Sequence, residues 1–222
     1  MTHIRSYANG GVICIDDALG SPLVDALVTL SRRAEHGQDS GGVVGPATAL
    51  TACTTIWPAT GFQSGLIRDL PGMTFYPTGG PIDEPLRFVR SHPLARDLFG
   101  AEGQDWVGLT AGLFRYGSGC GYRFHRNLPR YSGSFLLFLN PVWNEEWGGG
   151  FVFRDTRCGT TLAPVFNRLI MVGPHVMHGI ARVSAPARRA SNVLGGYFMT
   201  ETRVQEVLVD YFSEQASVAS IN

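Results

Sequence analysis

The most informative absence in this sequence is lysine, because all 18 basic residues are arginines. Chemistry that requires a lysine, such as Schiff-base formation or a lysine general base, is therefore excluded. A cationic side chain that binds a substrate carboxylate must be an arginine, whose planar guanidinium can bind both carboxylate oxygens at once.

Charged residues and long apolar runs are also scarce. Only 16% of the residues are charged, the formal net charge is zero, and the arginines are scattered along the chain. We therefore expect neither nucleic acid nor an anionic membrane as a partner, and predict a small-molecule or peptide partner instead. No run of about 18 apolar residues is present, as a membrane span would need, and the N-terminus has no apolar signal core.

Cysteines are few and far apart. None of the four forms a C-x-x-C pair, which argues against a zinc knuckle or a thiol redox motif. We expect them to be small buried side chains and the protein to be cytoplasmic. They are Cys14, Cys53, Cys120 and Cys158.

The length of 222 residues suits one domain with a single large core. The 28 glycines indicate many turns and favour a strand-rich fold. We predict one domain over 1–222. It would consist of a helical support region over about 1–105, a β-rich catalytic core over about 106–200 and a closing helix over about 201–214.

Helix signals lie in the first half of the chain. Ser21 and Pro22 suit the N-cap and first position of a helix of about four turns that ends before Gly37. A second helical region follows Asp83 and is interrupted at Pro93, after which a short helix continues to Phe99. Between these helices, Thr55 to Pro81 has no clear periodicity and predicts a long connection.

From Trp106 onward, short apolar or alternating runs are separated by turn residues. This pattern is typical of an antiparallel β-sandwich or barrel. Beyond the strands, apolar residues from Val204 to Phe212 recur at helical spacing and predict an amphipathic closing helix. We expect that helix to pack on the core, with a homodimer contact as the alternative. The predicted strands are Leu109 to Tyr116, Ser134 to Leu139, Gly150 to Arg154, Arg168 to Val172 and Arg189 to Met199.

Two histidines in the strand-rich half suggest a metal site. His125 follows a glycine-rich turn, Asn127 lies two residues later on the same predicted strand face, and His178 opens a distant strand. Two histidines and a third ligand on facing strands can form a facial triad that leaves metal positions open. An arginine on the next strand could then hold the far end of a dicarboxylate.

The segment from about 109 to 199 resembles the catalytic core of prolyl 4-hydroxylase-type, iron(II)- and 2-oxoglutarate-dependent oxygenases. Each motif alone is weak, but six of them occur in the order found in the family. They are Tyr116 to Gly119, His125, Leu139-Asn140-Pro141-x-Trp143, Trp147 to Phe151, Pro164-x-x-Asn167-Arg168-Leu169, and His178 followed by Arg189-Ala190-Ser191.

The resemblance implies a mainly β fold with flanking helices, a double-stranded β-helix or jelly roll. It also implies a dioxygenase that uses Fe(II) and 2-oxoglutarate to hydroxylate or otherwise oxidise a C–H bond. The metal ligands would be His125, Asn127 and His178. Arg189, with Ser191 on the same strand face, would bind the far carboxylate of 2-oxoglutarate, with Arg188 as the alternative anchor, and Tyr116 would lie near this cofactor. The partners would be dioxygen and a small-molecule or peptide-like substrate.

Asn127 departs from the family pattern, which is His-x-Asp. An asparagine amide is neutral and is a poorer iron ligand than a carboxylate. Three hypotheses follow: Asn127 is a native weak ligand of an active enzyme, it marks a family member that has lost iron chemistry, or it is an engineered replacement. A binding protein or redox-neutral catalyst is therefore the alternative function.

His175 competes with His178 for the second histidine position. The family pattern has an apolar residue two positions after the histidine and a valine five positions after it. Ile180 and Val183 fit that pattern when His178 is the ligand. We therefore predict His178 as the ligand.

Overall fold

Two antiparallel β-sheets form the centre of the protein in a computed structural model. The structure describes residues 3–33, 74–155, 158–184, 186–187, 189–203 and 206, together with the backbone of four short strands within 36–58. In chain order the strands are β1 (His3–Tyr7), β2 (Val12–Asp16), β3 (His36–Gly37), β4 (Val43–Val44), β5 (Thr48–Leu50), β6 (Thr55–Pro58), β7 (Thr74–Phe75), β8 (Gly108–Tyr116), β9 (Gly121–His125), β10 (Tyr131–Phe138), β11 (Phe151–Asp155), β12 (Cys158–Leu162), β13 (Leu169–Val172), β14 (His178–Ile180) and β15 (Ser191–Met199).

The larger sheet has ten strands and runs in the order β1-β2-β13-β10-β15-β8-β5-β3, with β6 paired to β8 and β7 to β6. Its central strand β10 is apolar on both faces, as expected for a strand covered on both sides. Phe135 and Leu137 contribute to the core on the helix side, whereas Leu136 and Phe138 contribute to the core between the sheets. The smaller sheet has the order β12-β11-β14-β9-β4.

Three helices cover the outer face of the larger sheet: α1 (Ser21–Arg33), α2 (Asp83–Ser91) and α3 (Pro93–Phe99). Val24, Leu27 and Leu86 are buried against that sheet. Pro93 cannot continue α2 because it has no backbone N–H. It begins α3 instead, where the His92 side chain accepts a hydrogen bond from the Leu94 N–H at 3.3 Å. No helix in the described part of the chain is long and apolar enough to cross a membrane.

This architecture confirms the predicted jelly roll with flanking helices. The helices that begin at Ser21, Asp83 and Pro93 are as predicted, and the five predicted strands appear as β8, β10, β11, β13 and β15 with small shifts at their ends.

Three predictions about the rest of the chain have other outcomes. The long, partly ordered connection predicted over Thr55 to Pro81 contains β6 and β7, two short strands that pair with each other in parallel. The predicted support region also contains β1, a strand that was not predicted and that extends the larger sheet by pairing with β2. Most of the predicted closing helix lies outside the described residues.

Candidate metal centre

His125 and His178 meet on the inner face of the smaller sheet. They are directly opposite each other in the β9–β14 pairing, and their ring centroids are 4.3 Å apart. Side chains of such cross-strand pairs are close neighbours on one face of a sheet. The pairing therefore brings together two imidazoles that are 53 positions apart in the sequence.

A β-bulge in β9 shapes this pair. His178 pairs with His125 and Ile180 pairs with Tyr122, so two steps along β14 correspond to three steps along β9. In a regular strand, residues three positions apart face opposite sides. The extra residue lets both Tyr122 and His125 line the same cavity.

Gly179 allows the two strands to approach at this point. A Cβ atom on Gly179 would lie 2.6 Å from the Tyr122 carbonyl oxygen, closer than any side chain could tolerate. Glycine is therefore required beside His178 for the two imidazoles to meet.

Both imidazoles use the same ring nitrogen for a backbone hydrogen bond. Nδ1 of His125 lies 3.0 Å from the Arg123 carbonyl oxygen, and Nδ1 of His178 lies 2.9 Å from the Val176 carbonyl oxygen. Since a carbonyl can only accept, each Nδ1 carries the proton, and each Nε2 keeps its lone pair. Metal-ligating histidines are commonly oriented by this kind of bond.

Burial keeps these rings neutral. It lowers the pKa of His178 to about 4, and the neighbouring His125 lowers it further. Burial also lowers the pKa of His125. Both side chains are therefore uncharged at neutral pH, which is the state that binds a metal ion.

Asn127 is buried beside the cavity, with 2% of its surface exposed. Its Nδ2 donates to Ser134 Oγ at 3.1 Å, and Ser134 lines the cavity together with the two histidines. Its Oδ1 is the one buried side-chain oxygen or nitrogen in the described residues that has no hydrogen-bond partner. An unsatisfied buried acceptor is costly, so this oxygen is available to a cation or to a hydrogen-bond donor of a ligand.

The cavity between the sheets is narrow, about 50 Å³, and mostly apolar. Apart from the histidines, its polar lining consists of hydroxyl groups, and no arginine is among its described lining residues. Burial raises the pKa of Tyr197, so this phenol remains a neutral donor. The hydroxyl-bearing lining residues are Tyr116, Tyr122, Ser134 and Tyr197.

The predicted cofactor residues are distributed differently. Tyr116 lines the histidine cavity. Ser191 is fully buried, but its hydroxyl accepts a hydrogen bond from Asn140 Nδ2 at 3.2 Å. Arg189 is exposed just before β15 and lines a different cleft. Arg188 lies outside the described residues, so the choice between the two arginines remains a prediction.

His175 lies apart from the histidine pair. It is exposed and lines a cleft near Ile13 and Leu98, and it is not among the lining residues of the histidine cavity. This placement favours His178 as the partner of His125.

Sequence reasoning missed Tyr122, Ser134 and Tyr197 as cavity residues. The bulge determines which face of the sheet the Tyr122 side chain occupies. Regular alternation counted from His125 would put Tyr122 on the opposite face. Tyr197 lies an even number of positions from Ser191 on β15, so strand alternation from that predicted residue could have identified it.

The donor set fits a divalent metal ion without a carboxylate. Two neutral imidazoles offer Nε2, and the buried Asn127 Oδ1 needs a partner. Within the described residues, no three His, Cys, Asp or Glu side chains come together as a metal site. A third protein ligand among the described residues would therefore be neutral.

Comparison with known proteins finds a family model that matches the part of the chain containing this site. Residues 111–194 match the family model of the 2OG-Fe(II) oxygenase superfamily, whereas comparison with curated protein sequences finds no match. This stretch contains both histidines and Asn127.

Solved structures share the fold at low sequence identity. A prolyl-4-hydroxylase from Pseudomonas putida is 16% identical, with a TM-score of 0.59 over 86% of this chain and 93% of that one. A Trichoplax adhaerens prolyl hydroxylase, solved with a peptide fragment of hypoxia inducible factor, is 17% identical, with a TM-score of 0.58 over 88% and 86%. HygX from Streptomyces hygroscopicus, solved with nickel and 2-oxoglutarate, is 14% identical, with a TM-score of 0.53 over 86% and 85%. The family match thus covers residues 111–194, and the solved structures share the fold of the chain.

Proposed function

We propose that this protein is an iron(II)- and 2-oxoglutarate-dependent oxygenase whose metal ion is held by His125, His178 and the Oδ1 atom of Asn127. The observation that carries this proposal is the imidazole pair: two neutral rings meet at 4.3 Å, and each has its Nδ1 on a backbone carbonyl. This arrangement prepares both Nε2 atoms to bind a metal ion.

Asn127 would complete the site as a neutral oxygen ligand. Its Nδ2 is held by Ser134, which fixes the amide so that Oδ1 is left for the metal. The resulting centre has three neutral protein ligands. The dianionic co-substrate would then neutralise the charge of the metal ion. The co-substrate should therefore bind the metal-loaded protein more tightly than the metal-free protein, and the metal ion should bind the co-substrate complex more tightly than the free protein.

When bound, iron(II) and 2-oxoglutarate supply the oxidising chemistry, in which dioxygen oxidises a substrate C–H bond while 2-oxoglutarate becomes succinate and carbon dioxide. The protein holds these groups and excludes water. Phe151 packs beside His178 at a ring distance of 5.6 Å, and Ile180 and Val193 add further apolar walls. This dry lining restricts access to the metal to ligands that fit the cavity.

Arg189 is our candidate for the group that binds the far carboxylate of 2-oxoglutarate. It lies two positions before Ser191, the first residue of β15, and Val193 and Tyr197 on the Ser191 face of that strand line the cavity. Arg189 is exposed at the strand end and would bind only the far carboxylate. The hydroxyl groups of Tyr116 and Tyr197, which line the cavity, would contact the rest of the co-substrate. Arg188 is the alternative anchor.

The substrate would be a small molecule or an amino-acid or peptide derivative. Two large apolar side chains flank His125 in sequence and are exposed, Phe124 by 44% and Leu128 by 41%. Arg123 and Arg126 are exposed beside them. An apolar surface with nearby cations suits a partly apolar substrate with an acidic group.

A binding protein without iron chemistry is the second candidate, favoured by the lack of a carboxylate and of an arginine in the described cavity lining. Anaerobic reconstitution with Fe(II), metal analysis and a succinate assay in air separate the two. The oxygenase binds one iron per chain and converts 2-oxoglutarate to succinate, even slowly without substrate. His178→Ala should lose both properties and His175→Ala should keep them. Wild-type protein with neither iron nor succinate formation would support the binding protein.

A further inference from the structure

A second cleft, of about 490 Å³, lies at the end of the larger sheet near the C-terminus of α1. Its described lining contains three arginines and two asparagines but no aspartate or glutamate. The lining residues are Arg32, Arg115, Leu139, Asn140, Pro141, Val142, Trp143, Arg189, Ala190 and Asn192.

This cleft and the histidine cavity lie on opposite faces of the same two strands. Arg115 and Asn192 form a cross-strand pair of β8 and β15, as do Leu113 and Leu194, which are two positions away. These leucines pack in the core on the helix side. Tyr116, which follows Arg115 on β8, points the other way, into the histidine cavity. The part of the cleft formed by Arg115 and Asn192 is therefore separate from the histidine cavity, whereas Arg189, the proposed co-substrate anchor, also lines the cleft.

Among the described residues, the positive charge of the cleft is not compensated. The protein as a whole has equal numbers of basic and acidic residues, yet no described carboxylate lines the cleft with the three arginines. Among the ion pairs of the described residues, none includes Arg32, Arg115 or Arg189. Like charges gathered at one concave surface repel each other, and a bound anion would relieve that repulsion.

Hydrogen bonds to neutral groups orient the central arginine. Arg115 Nε donates to Asn192 Oδ1 at 3.2 Å, and Nη2 donates to the Ser31 carbonyl oxygen at 3.4 Å. A guanidinium has five N–H donors, so these two bonds leave donors for a ligand. Both of these acceptors are uncharged, so neither hydrogen bond offsets the charge of Arg115.

The floor of the cleft is a rigid polar network. Asn140 is 5% exposed; its Oδ1 accepts from the Asn192 N–H at 2.8 Å, and its Nδ2 donates to the Asn192 carbonyl oxygen at 3.3 Å. On one wall, the Trp143 ring is fixed by a 3.0 Å hydrogen bond from Nε1 to the Gly148 carbonyl oxygen. A preorganised site of this kind loses little entropy when it binds a ligand.

We propose that this cleft is a second binding site, for a small molecule that carries two or more phosphate or carboxylate groups, held by Arg32 and Arg115 over the Asn140–Asn192 floor. Guanidinium groups bind both kinds of oxyanion in a bidentate manner. The cleft volume admits a molecule of metabolite size.

Calorimetric titration at low ionic strength tests this proposal, with inorganic phosphate and tricarballylate, a tricarboxylate, as probes. We expect at least one of them to bind wild-type protein with a Kd below about 1 mM and to bind more weakly as salt is added. Binding of phosphate alone identifies a phosphate site, and binding of tricarballylate alone identifies a carboxylate site.

Arg32→Ala and Arg115→Gln should each weaken that binding about tenfold. Arg154→Ala is the matched control, because Arg154 is an exposed arginine on the smaller sheet, and it should bind as wild type does. If Arg115→Gln fails to fold, Arg32→Ala decides alone, since Arg32 is exposed on the last turn of α1.

His178→Ala distinguishes this site from the metal centre. The probe should bind this variant with wild-type affinity, whether or not the chain is an oxygenase. The proposal is overturned if neither probe binds at about 10 mM, if Arg32→Ala and Arg115→Gln bind as wild type does, or if binding disappears in His178→Ala.

Discussion

Replacing Asn127 with aspartate should destabilise the metal-free protein and strengthen its binding of iron, and these two opposite effects test the metal centre. The side chain is 2% exposed, and its Oδ1 has no protein partner. Without metal, the new carboxylate is buried beside two neutral imidazoles with no cation to pair with. We expect the metal-free protein to lose about 1–3 kcal/mol of unfolding free energy, the usual cost of an unsatisfied buried polar group.

Iron should reverse this effect. A carboxylate next to a divalent cation gains a direct charge interaction of the order of several kcal/mol at an effective dielectric near 20, and part of that gain is offset by desolvation. A net gain of only about 1.4 kcal/mol corresponds to a tenfold higher affinity. Anaerobic Fe(II) titration should therefore show at least about tenfold tighter binding by Asn127→Asp, and thermal unfolding should show a larger stabilisation by iron.

Asn167→Asp is the matched control. Asn167 is 6% exposed, but both ends of its amide bond the backbone of Leu19, away from the histidines. This variant should be destabilised without any gain in iron affinity. If Asn127→Asp behaves in the same way, Asn127 does not face the metal and cannot be its third ligand.

Three further predictions concern neighbouring groups. His178→Ala should abolish iron binding with the fold intact, since sheet packing stabilises the protein, and His175→Ala should have little effect; metal analysis of both variants would reveal a reversed assignment. Arg189→Ala should raise the 2-oxoglutarate concentration needed for half-maximal succinate formation at least about tenfold, and Arg188→Ala should not; the opposite order makes Arg188 the anchor. Ser134→Ala should lower both stability, by about 1 kcal/mol, and iron affinity, because Asn127 loses the acceptor that orients its amide. Wild-type iron affinity in Ser134→Ala would show that this hydrogen bond has no role in metal binding.

The sequence predicts most of the strand framework, because strands such as β10 and β13 are short apolar runs between turn residues. It also predicts the pairing of His125 with His178, through motifs that occur in a fixed order. It could not predict that Tyr122 shares a face with His125, since a bulge depends on the partner strand. The strand at Thr55–Pro58 was missed because it is stabilised by its pairing with β8 and not by a local apolar pattern.

The position of Arg189 shows another limit of sequence reasoning. Alternation along β15 relates it to Ser191, but the strand begins only at Ser191, and the arginine just before it is exposed. The ends of strands depend on tertiary contacts that periodicity does not encode. The same contacts place Arg115 and Arg32, which are distant in sequence, in one cleft.

The most direct test of the central claim is the stoichiometry of iron bound by wild-type protein after anaerobic reconstitution, measured together with succinate formed from 2-oxoglutarate in air. We predict one iron per chain that is lost in His178→Ala, and succinate formation that depends on this iron. Wild-type protein that binds no stoichiometric iron and forms no succinate would contradict the proposed oxygenase function.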